Sequence, residues 1–436
     1  MNTTINSRLT PVVAASVLLL MTACATPYQW TSYPADQTLE SLTAAQWQED
    51  IAYLRAELPD RNPHFHEDPD MAQRFDESLA VLEDRVDVNS TPGDVITGMA
   101  RAIALIGEGH TSINASPDSY FPVIAGWFAD GFYVAGADRE YEEILGTRIL
   151  GVRAADGTDV PLPGLEELVN SVIAADHENG LRPAQGNVLI NPYLMRGLGL
   201  ADGAELTYLL EIDGAQEAYT VEERAGADLD IVRAKDDAPQ EALVDSSSEP
   251  NWYTRTGPDD EVIYISYDSC EMAAAGFFQA VLNEIKRTEV ERVVVDLRAN
   301  SGGVSFPGTW FASQLGGIPR VNRDGGLFVL VGPRTFSSGM MMAVDLMDKT
   351  DALFAGEPLA ENVDAWGEVK RFPLPNSGLM IGHSTRFIRY GRWKELRLDE
   401  DGNIVPDEGF EIRPTFGDYE NGRDPVLEAV LAYESS

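Results

Sequence analysis

An α/β fold is predicted by three features of the second half of the chain. From residue 261 onward, apolar strand-like runs alternate with amphipathic helical patterns. Two of the runs, Arg292-Val-Val-Val-Asp-Leu297 and Leu327-Phe-Val-Leu-Val331, are continuously apolar, as expected of a sheet covered on both faces. A Gly- or Ser-rich loop follows each of them. Strands alternating with helices build βαβ units with right-handed crossovers. In chain order, Val262-Ile-Tyr-Ile-Ser-Tyr267 reads as a strand, and Phe277, Phe278, Val281, Leu282 and Ile285 line a helix. After the two apolar strands come a helix over Ser338 to Asp348 and a strand over Ala352 to Ala355. A terminal helix follows over Val426 to Tyr433.

The first half is organised differently. Thr43-Ala-Ala-Gln46 spells a capping box, and Trp47, Ile51, Leu54 and Leu58 follow at helical spacing until Pro59. Met71, Phe75, Leu79, Leu82 and Val86 form a second stripe. Thr91-Pro-Gly-Asp94 opens a third helix carrying Val95, Ile96, Met99, Ile103 and Ile106 and stopping at Gly107. From about 116 to 245 short β-like runs (131–136, 147–152, 206–212) alternate with Gly/Asp turns and one helical stretch near 164–175. Residues 236–250 are acidic, Ser-rich and patternless, which reads as a linker. With 436 residues the chain exceeds a single core. The predicted organisation is 1–23 signal peptide, 24–40 tether, 41–115 helical domain, 116–245 β-rich module and 250–436 core.

Charge narrows the function. The 71 acidic residues outnumber 32 basic ones, for a net charge of −39. Binding nucleic acid needs a basic footprint, so that class is excluded, and adsorption of the globular surface to anionic lipid is disfavoured. The acids are dispersed, which suits a solvated coat. The N-terminus reads as an export signal: Asn2 to Thr10 is polar with Arg8 as its cation, and Pro11 to Met21 is apolar but too short for a stable span. Leu20-Met-Thr-Ala-Cys24 resembles a bacterial lipobox, which implies acylation of Cys24. Ala25 after it resembles an outer-membrane sorting signal. The expected location is the cell envelope, on the outer membrane facing the periplasm, with membrane contact through the N-terminal lipid alone. Cys270 is then expected as a free thiol.

Two loops could carry chemistry. Asp296-Leu-Arg-Ala-Asn-Ser-Gly302-Gly303 leaves a strand with two glycines that let backbone N–H groups approach a ligand. Thr335-Phe-Ser337-Ser338-Gly339 opens a helix, where free N–H donors favour developing negative charge. A nucleophilic Ser needs a base, and the chain offers His64, His66, His110, His177 and His383. His110 lies on a glycine-flanked loop, Gly107-Glu-Gly-His-Thr111. His64 and His66 lack a spaced partner set, so no metal is expected, and no cofactor.

Taken together, these segments resemble the tail-specific, or C-terminal processing, serine peptidase family. Val293 to Gly303 is similar to its strand and Asn-x-Gly-Gly loop, and Phe328 to Gly339 to its nucleophile segment. Ala355-Gly-Glu-Pro358 is similar to its "GEP" turn, and Leu374 to Leu379 to a later block. Gly107-Glu-Gly-His-Thr111, Tyr267-Asp-Ser-Cys270 and Gly422-Arg-Asp-Pro-Val-Leu427 resemble the branch related to the tricorn protease core, with Glu108 in place of the usual Asp. The resemblance runs from Trp47 to Leu431. It implies a β-α-β superhelical, ClpP/crotonase-like protease core behind a small helical bundle, with the β-rich module at the place of the family's PDZ-like domain.

It further implies Ser337 as nucleophile, His110 as general base, and an oxyanion hole from Ser338 N–H with Gly302 or Gly303. The Lys base of the processing branch would fall on Asn362, and neither Lys349 nor Lys370 fits its place. The carboxylate that orients His110 is left among Glu408, Glu357 and the local Glu108. Leu359-Ala-Glu-Asn362 departs from the family's Thr-Gly-Gly run. Asp296 and Arg298 read as supporting the fold. The expected activity is an exported, lipid-anchored serine endopeptidase acting on peptides or unfolded protein segments. The rivals are a non-catalytic peptide-binding lipoprotein on the same fold and an esterase using the same Ser–His pair.

Overall fold

The computed structural model describes residues 38–236, 249–257, 261–392 and 394–434. The signal, Cys24 and most of the tether lie outside the described residues, as does most of the 236–250 linker. Residues 38–41 form one 3-10 turn. The remainder, from Leu42, is a single compact unit.

Helix α1 (Ala44–Arg61) opens on the capping box its sequence spells: Gln46 N–H donates to Thr43 Oγ1 at 3.3 Å and Thr43 N–H to Gln46 Oε1 at 3.0 Å. It runs through Pro59 for one more half-turn, two residues beyond the predicted stop. Helices α2 (Pro69–Arg85) and α3 (Pro92–Ala104) are capped by Asp68 and Thr91. Their predicted stripes bury Met71, Phe75, Leu79, Val95, Ile96, Met99 and Ile103. The last helix ends before Ile106, and Gly107 takes φ +69°, a left-handed turn that glycine adopts without a Cβ clash. This turn launches the loop carrying His110.

The β-rich module is a seven-stranded antiparallel sheet. Its long strands are β1 (Val123–Phe128), β2 (Gly131–Asp138), β3 (Arg148–Arg153), β4 (Glu205–Ile212) and β5 (Ala215–Glu222). Strand Ile231–Arg233 leads the order β2-β3-β4-β5, β1 pairs with β2, and Asp159–Pro161 pairs with β3. The predicted helix appears at Leu162–Asn170. Two more, Leu181–Leu189 and Pro192–Gly197, escaped the sequence reading because Pro183, Gly186, Pro192 and Gly197 interrupt their pattern. Gly186 permits a close crossing: a Cβ there would lie 2.8 Å from the Ala125 carbonyl oxygen.

The α/β core follows the sequence closely. Strands β6 (Asn251–Thr256), β7 (Val262–Tyr267), β8 (Arg292–Asp296), β9 (Leu327–Val331) and β10 (Leu353–Gly356) form one sheet in that order. The edge pair β6–β7 is antiparallel and the rest parallel. Helices α4 (Ala274–Arg287), α5 (Phe306–Gly316) and α6 (Ser338–Lys349) supply the crossovers. Ile263, Ile265, Val293 and Val295 face these helices. Val262, Tyr264 and Val294 face the other side, against α7 (Pro425–Leu431). Burial on both faces explains the continuous apolar runs.

The C-terminal segment is tied to this sheet. Arg292 donates to the carbonyls of Val430, Leu431 and Tyr433. Arg298 bridges Asp296 and Asp424, with Nη2 2.6 Å from an oxygen of each. Asp296 also accepts from Tyr264 Oη at 2.6 Å. Asp296 and Arg298 thus link β7, β8 and the start of α7. Residues 407–412 cover the β10 edge: Gly356 N–H donates to Phe410 O at 3.0 Å, and Ile412 N–H to Gly356 O at 2.9 Å. Among the described residues no helix is long and apolar enough to cross a membrane.

Candidate active site

Strands β8 and β9 are adjacent and parallel, so the loops leaving their C-terminal ends lie side by side. Asn300, fully buried, stitches them together. Its amide donates to Tyr267 O at 2.6 Å, its carbonyl side chain accepts from Gly302 N–H at 2.9 Å, and its backbone oxygen accepts from Phe336 N–H at 2.9 Å. Thr335 Oγ1 donates to Leu297 O at 2.8 Å, and Ser338 Oγ to Gly303 O at 2.7 Å. The free thiol of Cys270 is buried against Asn300, and burial pushes its pKa up, which suits an inert core cysteine.

Ser337 stands at the start of α6 with φ 53° and ψ −121°, a conformation that costs a non-glycine residue roughly 1–3 kcal/mol. Neighbouring groups hold it there. Its backbone N–H donates to Glu361 Oε2. Gly302, at φ +101°, comes so close that a Cβ on it would lie 2.6 Å from Ser337 Cβ and 3.0 Å from Ser338 N. Gly303 has φ +132°.

The His110 loop meets this region. Glu108 is buried and fully engaged: it accepts from Asn62 Nδ2 at 3.1 Å, His110 N–H at 3.0 Å, Ser384 Oγ at 2.9 Å and Thr111 Oγ1. Glu108 therefore shapes the loop. The His110 ring lies on Phe336, centroids 4.5 Å apart, directly beside Ser337 in sequence. Its Nδ1 is 3.7 Å from Glu361 Oε1, and neither ring nitrogen has a hydrogen-bond partner among the described residues.

Glu361 thus touches both loops, and the sequence reading passed over it. Of the carboxylates favoured there, Glu357 pairs with Arg413 and Glu408 is exposed on a turn. Glu361 lies on the segment after β10, and its side chain is 2% exposed. Lys349 is held by Asp345 on its own helix, and Lys370 is exposed on a strand paired with His383. His383 is buried with Nδ1 3.0 Å from Ser384 O, and His66 is exposed. His64 stacks on Trp366 at 4.8 Å, and His177 precedes a 3-10 turn.

Electrostatically the site is a buried acidic cluster. Burial pulls the His110 pKa down, opposed by the Glu108 charge. Burial pushes the Glu361 carboxyl well above the usual range, reinforced by Asp176 and opposed by the Ser337 N–H. Asp176, also missed by sequence reading, accepts from Gly109 N–H at 3.1 Å, and burial pushes it up to about 7. Of these influences on His110, burial is the larger and favours the neutral imidazole.

No protein-family model matches the chain, and no curated protein matches it by sequence. Solved structures do. Mature CPAF aligns with a TM-score of 0.60 and 13% identity, covering 89% of this chain and 96% of that one. CPAF complexed with lactacystin gives 0.59 and 14%, covering 89% and 97%. The photosystem II D1 C-terminal processing protease gives 0.39 and 14%, covering 84% and 92%. The mixed α/β architecture with its several sheets is therefore the fold of CPAF.

Proposed function

We propose that the chain is a serine endopeptidase, exported and held on the membrane by a lipid on Cys24. The observation that carries the reading is Glu361, which faces His110 Nδ1 with one oxygen and accepts the Ser337 N–H with the other. Ser337 Oγ attacks the peptide carbonyl while His110 takes its proton at Nε2. His110 then returns that proton to the leaving amine, and water repeats the cycle on the acyl-enzyme. Glu361 orients the imidazole and balances the imidazolium. The 3.7 Å separation shortens as the charges develop.

Two backbone donors serve the oxyanion. Ser338 N–H is one of the unpaired amides of a helix start, and Gly303 N–H is the second. The Gly302 N–H is taken by Asn300, so Gly302 contributes by lacking a Cβ. In this reading the five-stranded sheet is the β-α-β superhelical core, and the antiparallel module is the PDZ-like domain. Substrates are peptides or unfolded protein segments.

The test is a serine-reactive phosphonate on the folded protein, followed by peptide and ester turnover. Labelling at Ser337 with peptide cleavage supports the proposal. A chain that binds peptide but is neither labelled nor active is the non-catalytic alternative, and ester turnover without peptide cleavage is the esterase.

A further inference from the structure

Helices α2 and α3 face each other across an open groove of about 700 Å³. One wall is a stripe of α2, Arg74, Ser78, Val81 and Arg85; the other is a stripe of α3 and its C-cap, Asp94, Gly98, Arg101 and Leu105. Successive members are three or four residues apart, so each stripe lies along one helix face. At the floor the helices nearly touch: a Cβ on Gly98 would lie 2.4 Å from Leu82 Cδ1. Val81 and Leu105 remain 47% and 39% exposed.

The charge on this groove runs against the rest of the molecule. In a chain with 71 acidic and 32 basic residues, Arg74, Arg85 and Arg101 converge here, and among the described residues none of them makes an ion pair. Arg101 has only a 3.4 Å contact to Ser171 Oγ. The two acids of the lining are occupied locally: Asp94 caps its own helix, and Glu77 accepts from Gln73 at 2.7 Å.

We infer that this groove binds an acidic amphipathic helix of a partner polypeptide. A two-helix groove with an apolar floor accepts a third helix along it. Arg74 and Arg85 are separated by about 16 Å along α2, three helical turns, which sets the spacing of the ligand's carboxylates. The concavity favours a helix over a bilayer surface, which cannot enter between two helices. The inference does not depend on the peptidase reading, because no groove residue belongs to the Ser337 site.

The experiment is fluorescence anisotropy on the full exported chain with Ser337→Ala, so that any cleavage is removed. The probe is a labelled acidic amphipathic helical peptide, its control a scrambled peptide of equal charge. Saturable binding that weakens with salt is expected, as is a fall in affinity on the order of tenfold in R74E/R101E, read alongside an unchanged circular dichroism spectrum. A second variant, Leu105→Ala, removes an exposed apolar side chain of the groove and should weaken the peptide without changing charge. Equal binding of the scrambled peptide, or undiminished binding to both variants, overturns the inference. So does binding of phosphatidylglycerol vesicles in place of the peptide, or concentration-dependent self-association that R74E/R101E abolishes.

Discussion

Ser337 and Glu361 are joined through the main chain: the backbone N–H of the serine donates to a carboxylate oxygen whose twin faces His110. The same acid therefore holds the unusual Ser337 backbone and faces the imidazole. A change at Glu361 acts on Ser337 and His110 together.

Removing the Ser337 hydroxyl should abolish both peptide hydrolysis and phosphonate labelling, with a loss on the order of 10³-fold or more. Ser337→Ala should keep its melting temperature. His110→Ala should lose activity comparably; labelling retained on Ser338 or Ser301, or full turnover by His110→Ala, would sink the mechanism.

Three glutamates can be told apart by kinetics. Glu361→Gln keeps an oxygen for the Ser337 N–H but can no longer ionise opposite His110 as its imidazolium develops, so kcat should fall on the order of 10²- to 10⁴-fold. Glu357→Gln and Glu408→Gln should stay within about twofold of the parent, because one is held by Arg413 and the other is exposed. The reverse pattern would return the role to one of those two.

Asp176 supplies a pH test. Its charge raises the Glu361 pKa, so Asp176→Asn should move the acid limb of kcat/KM to lower pH. Stability should respond with a matching sign. The folded-state pKa of about 7 lies above the ordinary 3.8, so the bound proton stabilises the fold fully below 3.8, and this contribution is lost as pH rises through 7. Asp176→Asn should therefore raise the melting temperature more at pH 8 than at pH 5. An acid limb that stays put, or a larger gain at pH 5, counts against the buried acidic cluster.

Gly302→Ala places a methyl 2.6 Å from Ser337 Cβ at a φ of +101°. Because backbone must move to relieve it, turnover should fall on the order of 10²-fold with only modest loss of stability. Near-normal kcat in a folded variant would show that the close approach has no part in catalysis.

Cys24→Ala should leave an exported form that no longer partitions with membranes. Fractionation with mass spectrometry of the mature N-terminus reads this directly. An unmodified Cys24, or equal membrane retention of the variant, would remove the anchor from the proposal.

The strands and helices of the core were legible because two-sided burial writes itself as continuous apolar runs, and the capping boxes at Thr43 and Thr91 marked helix starts within a residue. The loops bearing Ser337 and His110 could be paired in advance through the resemblance of their motifs. Glu361 and Asp176 could not. Among 71 acidic residues, which one is buried depends on chain segments brought together in space, and neither residue sits in a motif. The helices at 181–197 were hidden by Gly and Pro residues, of which Gly186 allows close packing against β1 and Gly197 against α3.

Arg292 reaches three carbonyls at the far end of α7, and residues 407–412 line the β10 edge. During synthesis the strands bearing the glycine and serine loops emerge well before the segments that clamp them. A chain that has not folded through its last helix thus carries Ser337 without a finished sheet beneath it, and reaction with the phosphonate should arise only once the segment through Tyr433 is in place. Truncation at Asp424 would test this timing, since such a chain should accumulate as a protease-sensitive species that never reacts with the phosphonate.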